Sequence, residues 1–251
     1  MKKGFFILLL LSTIQLWAQD GVFYIAARNG LSLREQPNAS SKSITKIPYG
    51  QQVTIKYITD NVYKYNAEGL DGMWVSVTYN GQTGYIVDNY LLPTPPPKAG
   101  VNDLKQYLEQ LSPTTGAPLE IKRSIAELEG GSISVKKQLF KNGAEYHLQN
   151  GYEAHTYTFF LPDYNLQQAF VLLRFLSEYK TALGANDVLP STNTTIKRGE
   201  TEITVKVETE DYGDGNKRVV RLKLSYEEGA LYDIEVFELG NQVVVSVSGG
   251  V

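Results

Sequence analysis

Cysteine is missing from all 251 residues, and that one absence closes several routes. No disulfide framework, thiolate metal site or cysteine nucleophile can form. Histidine is scarce, with only His147 and His155 to serve as general base or neutral metal ligand. Excess positive charge is lacking too: 24 Lys and Arg stand against 27 Asp and Glu, a net charge of −3. Nucleic acid and anionic membrane surfaces need a basic footprint to meet them, so neither is expected as a partner. Past the N-terminus no apolar run is long enough to cross a bilayer.

The N-terminus itself is informative. Met1-Lys2-Lys3 followed by GFFILLLLSTIQLW has the charged head and short apolar stretch of a secretory signal. Ala18 offers a small residue at the cut, so residues 1–18 are expected to be removed, although Leu16 is large for its place in such a site. Losing Lys2 and Lys3 takes the net charge to about −5. With no cysteine to carry a lipid, the expected product is an exported, mildly acidic protein, periplasmic or extracellular, with no membrane span after cleavage.

Residues 19–92 read as short β segments separated by turn residues. VFYIAA and LSLR are divided by Asn29-Gly30, and SITKI and VTIKYI by Tyr49-Gly50. The clearest element is the hairpin Trp74–Tyr79, Asn80-Gly81, Gln82–Val87, because both turn residues tolerate the positive φ of a type I′ turn. That turn sets Val77 opposite Gly84 and Val75 opposite Ile86 on an aliphatic core face. Trp74 and Tyr85 fall on the other face as diagonal neighbours. They are the expected ligand-binding residues, joined by Tyr63 and Tyr65 from the loop before Trp74, since loop aromatics offer large contact area at low entropic cost.

The ordered set Leu31-x-Leu33-Arg34, Pro37, Gly50, Trp74-x-x-Val77, Gly81-x-x-Gly84-Tyr85-x-Val87 and Tyr90-Leu91 resembles the bacterial SH3-like domain. It departs from that pattern at Gln36, where glycine is usual, and in the lengthened loop NVYKYNAEGLDG. The resemblance implies a small β-barrel that binds peptidoglycan peptides or docks an envelope protein. The cysteine peptidase that often accompanies such a barrel is excluded here, because the chain has no cysteine.

PTPPPKAG, within residues 93–101, is expected to be a stiff polyproline II spacer. Residues 102–251 then read as an α+β domain in the order α-βββ-α-ββββ, an antiparallel sheet covered on one side by helices, and carry no family resemblance. Val101, Leu104, Leu108 and Leu111 form one side of a first helix. The turn Asn142-Gly143 is expected to pair Leu139 with Tyr146, and Asn150-Gly151 to pair Leu148 with Glu153. Both then place Ile133, Val135, Leu139, Tyr146, Leu148, Tyr157 and Phe159 on one core face. Asp163 is expected to cap a second helix running to Leu183, with Gly184 ending it. Gly240-Asn241 is expected to pair Val236 with Val245 and Ile234 with Val247.

His147 and His155 point to opposite faces of their hairpin, so no metal site is expected. Ser43-x-x-Lys46 and Ser134-x-x-Lys137 have the letters of serine–lysine catalysis but fall on strands instead of helix starts. The run from Glu210 to Asn216 is hairpin chemistry, not a calcium loop. A carboxylate-dependent hydrolase depends on geometry that only the fold can supply; Glu145, Glu208, Asp233 and Glu235 are strand carboxylates that alternation explains as solvent-facing positions. The expectation is a mainly β, two-domain, non-enzymatic binding protein of the cell envelope without a cofactor. An envelope scaffold that docks another protein is the alternative.

Overall fold

The computed structural model describes residues 21–58, 63–124, 132–151, 153–211 and 217–250. The signal segment with Ala18, and residues 212–216 of the run expected to form a hairpin turn, lie outside them. Seven strands make the first sheet: β1 (Gly21–Ile25), β2 (Leu31–Arg34), β3 (Ser43–Ile47), β4 (Gln52–Tyr57), β5 (Trp74–Tyr79), β6 (Gln82–Val87) and β7 (Leu91–Leu92). Their order is β3-β2-β6-β5-β4-β1-β7, and every pairing is antiparallel. The β5–β6 register is the one that Asn80-Gly81 dictates, with Val75 opposite Ile86 and Val77 opposite Gly84. Asn80 and Gly81 both take the positive φ that such a turn requires. Ile25, Leu33, Ile47, Ile55, Val75 and Ile86 are wholly buried inside this sheet.

The second unit begins with α1 (Leu104–Leu111), capped by the Asp103 carboxylate, which accepts from the Gln106 N–H at 2.7 Å. Nine strands follow around a second helix: β8 (Leu119–Ser124), β9 (Ser132–Leu139), β10 (Glu145–Asn150), β11 (Ala154–Pro162), α2 (Leu166–Leu173), β12 (Thr194–Arg198), β13 (Thr201–Asp211), β14 (Lys217–Glu227), β15 (Leu231–Leu239) and β16 (Gln242–Gly250). They form one antiparallel sheet in the order β12-β13-β14-β15-β16-β11-β10-β9-β8. Leu161, Ile203, Val205, Leu222, Ile234, Val236, Val243 and Val245 bury the face under α1 and α2. The α+β class holds. β8 and β12, the two edge strands, are additions to the expected order.

Three expectations for this unit are corrected. First, Leu139 faces Glu145, not Tyr146. The Phe140 N–H bonds the Ala144 carbonyl, leaving a three-residue loop with Gly143 at φ 86° in place of a two-residue turn. That slip of one turns Ile133, Val135 and Leu139 to the far face, while Phe140, Ala144, Tyr146 and Phe159 take the core. Second, Leu148 pairs with Tyr157, not Glu153, because the Gly151 N–H bonds Ala154 and the turn is longer than two residues. This shift of four preserves the faces. Third, Asn165 and not Asp163 caps α2, in a reciprocal capping box with Gln168, and the helix ends at Leu173 before a short 3-10 turn at Ser177–Tyr179. The chain leaves the helix there because Arg174 and Phe175 are held by the first unit: Arg174 pairs with Glu68 at 2.7 Å, and Phe175 packs on Tyr49 at 5.3 Å.

The proline run is also corrected, since it is packed and not a free spacer. Pro96 and Pro97 are buried. The Tyr49 hydroxyl donates to the Pro97 carbonyl at 2.7 Å, and the Tyr107 hydroxyl to that of Pro95 at 2.9 Å. Ala26, Leu70 and Leu92 of the first unit belong to the same buried cluster as α2. The loop before Trp74 completes the joint. Its Glu68 carbonyl accepts from Leu189 N–H at 2.8 Å, and its Asp71 N–H donates to Gln167 Oε1 at 2.6 Å.

Candidate functional site

The four aromatic residues singled out from the sequence do not form one open patch. Trp74 is only 6 % exposed, which corrects the expectation that its indole is accessible. Tyr65 packs on it edge-on, with ring centroids 5.6 Å apart, so a residue of the lengthened loop helps to cover the tryptophan. Tyr85 stands on the expected face, opposite Ser76, and is half-buried. Tyr63 is the most open of the four at 39 %. The residues are neighbours, as expected, but packing consumes the central one.

A concavity lies elsewhere, between the two units, with a volume of about 580 Å³. That is within the usual range for a small-ligand pocket. Phe23, Ile55, Tyr57 and Leu91 form the wall from the barrel, and Asp71, Asp88 and Asn89 reach it from the loops beside β5 and β6. The opposite wall comes from Asp163, the first turn of α2 and the Gly240-Asn241 turn. Four carboxylates therefore line it (Asp71, Asp88, Asp163 and Glu238), with no lysine, arginine or histidine among its lining residues.

These carboxylates are not equivalent. Glu238 is committed to the start of α2, where its Oε1 accepts from Leu166 N–H at 2.9 Å. Asp163 sits in the left-handed region at φ 64° and is exposed, as is Asp71. Asp88 is half-buried. Its Oδ1 accepts from Met73 N–H at 2.7 Å, yet burial prevails and pushes its pKa up to about 6. Burial, with the Asp88 charge adding to it, raises the Tyr57 phenol to about 12. Beside them Asn89 is buried, and its Nδ2 donates to the carbonyls of Tyr65 at 3.0 Å and Leu70 at 2.8 Å. Its Oδ1 acceptor has no partner among the described residues.

The strand carboxylates weighed for hydrolysis are held in ion pairs. Glu145 bonds Lys137 at 2.6 Å and His147 at 2.9 Å; Glu208 and Glu235 share Arg221; Asp233 bonds Lys223 at 2.8 Å. Burial works against the charge of Glu145 and Asp233, but those lysine bonds outweigh it and hold both pKa values below the usual range. A general acid needs the opposite shift. His147 and His155 do point to opposite faces of the sheet, with His147 set against Phe160 and His155 against Tyr157. No group of three metal-ligating side chains converges among the described residues.

With strand order, hairpin register and loop positions in view, comparison with known families gives one match. It covers residues 29–92 and the family is described as Bacterial SH3 domain. Residues 29–92 are a bacterial SH3 domain. The match spans about a quarter of the chain and includes β2 to β7 together with the loop that docks onto α2. Comparison with curated proteins and with solved structures finds no match. The SH3 domain thus supplies one wall of the cleft, and the sheet domain the other. Sequence reasoning missed Asp71, Asp88 and Asn89 as lining residues. Asp88-Asn89 follows β6 directly, but nothing local marks it, since the opposing wall begins at Asp163, 74 residues beyond Asn89.

Proposed function

We propose that this chain is an exported, non-enzymatic binding protein of the bacterial cell envelope, taking a peptide or cell-wall fragment in the cleft between its SH3 domain and its sheet domain. The match at residues 29–92 carries the reading, because bacterial SH3 domains are binding modules commonly tied to the wall. The signal-like segment Met1–Ala18 and the acidic composition support export. A cleft walled by Phe23, Tyr57, carboxylates and amides suits a polar ligand with an apolar spine. Sedimentation of the mature chain with purified peptidoglycan tests it. Retention that a soluble wall digest competes away is expected, and a folded protein that stays wholly in the supernatant overturns it.

A second reading, docking of another envelope protein, is favoured by strand β8, which pairs on one side only among the described residues. Edge strand β8 exposes Leu119 at 62 % and Ile121 at 60 %. An open edge with apolar side chains is a ready template for an added strand. If this reading holds, the mature chain retains one defined envelope partner without binding the wall, and a Leu119→Lys/Ile121→Lys variant loses that partner.

A further inference from the structure

We propose that edge strand β8 pairs with β8 of a second copy of this chain, antiparallel about a two-fold axis through Ile121, joining two nine-stranded sheets into one. The inference goes beyond the wall-binding reading and does not rest on it.

Among the described residues β8 pairs only with β9, so one side of its backbone has no strand beside it. Such a side presents a row of N–H and C=O groups that another strand can bond. The register with β9 sets Ile121 opposite Val135 and Leu119 opposite Lys137, on the sheet face away from the helices. Leu119 and Ile121 are the two most exposed large apolar side chains among the described residues. Glu120 and Lys122 take the alternate positions on the other face and are exposed as well.

Strand geometry restricts how a copy can add. Directly opposite residues in an antiparallel pair point their backbone groups both toward or both away from one another. A two-fold pairing therefore sets one residue opposite itself, never opposite its chain neighbour. Only the axes through Ile121 and Lys122 keep all but one of the 6 strand residues paired, residues 119–123 and 120–124 respectively. The axis through Lys122 brings that ammonium against its own copy, and the shorter overlap about Glu120 does the same with a carboxylate. Like charges directly opposite are destabilising. The axis through Ile121 instead sets Glu120 opposite Lys122 of the second copy, and does so twice by symmetry. Charge complementarity thus singles out one register.

Packing agrees with charge. In that register Val135 and Ile121 of one copy continue directly into Ile121 and Val135 of the other, an apolar row across the axis on one face. Leu119 lies diagonal to Ile121 of the second copy and within its reach. On the other face Glu120 meets Lys122 of its own strand at 3.3 Å and Lys136 of β9 at 3.9 Å, and pairing brings it a further cation. A strand from another protein would have to match both the apolar row and the alternating signs, whereas a second copy matches them by symmetry.

The absence of cysteine permits a clean test on the mature full-length chain. Sedimentation velocity over a concentration series is expected to show monomer and dimer and no larger species, since a two-fold pairing closes on itself. Under oxidising conditions Ile121→Cys is expected to form an inter-chain disulfide, because directly opposite residues stand within disulfide reach. Leu239→Cys, also exposed but on β15, is expected to stay largely unlinked. Glu120→Lys and Lys122→Glu each create two like-charge pairs across the axis, and each is expected to weaken dimerisation about tenfold. The double variant Glu120→Lys/Lys122→Glu is expected to recover it, which a folding defect would not allow. A monomer at every concentration, linkage at Ile121→Cys no greater than at Leu239→Cys, or a double variant no better than the single ones overturns the inference. A monomer that captures an envelope protein through β8 overturns it too and leaves the docking reading in place. Wall retention is read separately, so none of these failures touches the wall-binding reading.

Discussion

Single side chains here decide between packing and recognition. Trp74 lies under Tyr65 and touches the barrel core, so its removal acts first on stability. Trp74→Ala is expected to lose about 3–5 kcal/mol, read as a lowered denaturant midpoint, whereas Tyr63→Ala should change stability by less than about 0.5 kcal/mol. Asp88 carries a different signature. Its folded pKa, about 6, stands above the ordinary 3.8, so the folded chain keeps a proton that the unfolded chain has released. Stability is therefore fully present below pH 4, falls as pH rises from about 4 to 6, and is flat above that. The full shift corresponds to about 3 kcal/mol, and Asp88→Asn should flatten this segment of the stability profile in urea titrations at successive pH values.

At the scale of elements, turn chemistry accounts for what was legible and what was not. Asn80-Gly81 and Gly240-Asn241 are two-residue turns, and both registers follow from them, with Val236 opposite Val245 as expected. Asn142-Gly143 has the same letters but closes a three-residue loop, because Phe140 is drawn into the core and bonds Ala144. The strongest local signal was thus overruled by burial of one aromatic ring. Helix α2 tells the same story: its apolar positions continue past Leu173, but tertiary bonds to Arg174 end it early. Glu68, Gly69 and Asp71 form the docking loop, and Gly69 is the sensitive point. Its φ is 72°, and an added Cβ would stand 2.2 Å from the Leu189 carbonyl oxygen. Gly69→Ala is expected to destabilise the protein by about 2 kcal/mol or more and to speed proteolysis in the docking loop.

For the molecule as a whole, the two-domain reading was legible, while the joint was not. Strand patterns give each unit its class from local residues alone. The joint depends on contacts such as Arg28 over the Phe175 ring at 4.2 Å, with its guanidinium donating to the Arg174 carbonyl, and no local pattern encodes these. The cleft was illegible for the same reason, its walls being brought together only when the units dock. Because Ala26, Leu70 and Leu92 share a core with α2, calorimetry should show a single transition for the mature chain. A fragment ending at residue 100 is expected to melt at lower temperature and to bind a hydrophobic dye, since it uncovers those three side chains.

The prolines, read as a string between beads, are instead mortar. Transplanting residues 29–92 into another protein would strip Leu70 and Leu92 of their cover and sever one wall of the cleft from its counterpart. Any exchange that preserves recognition must carry α2 and the Gly240-Asn241 turn with it, which makes the pair, and not the barrel, the unit on which selection can act.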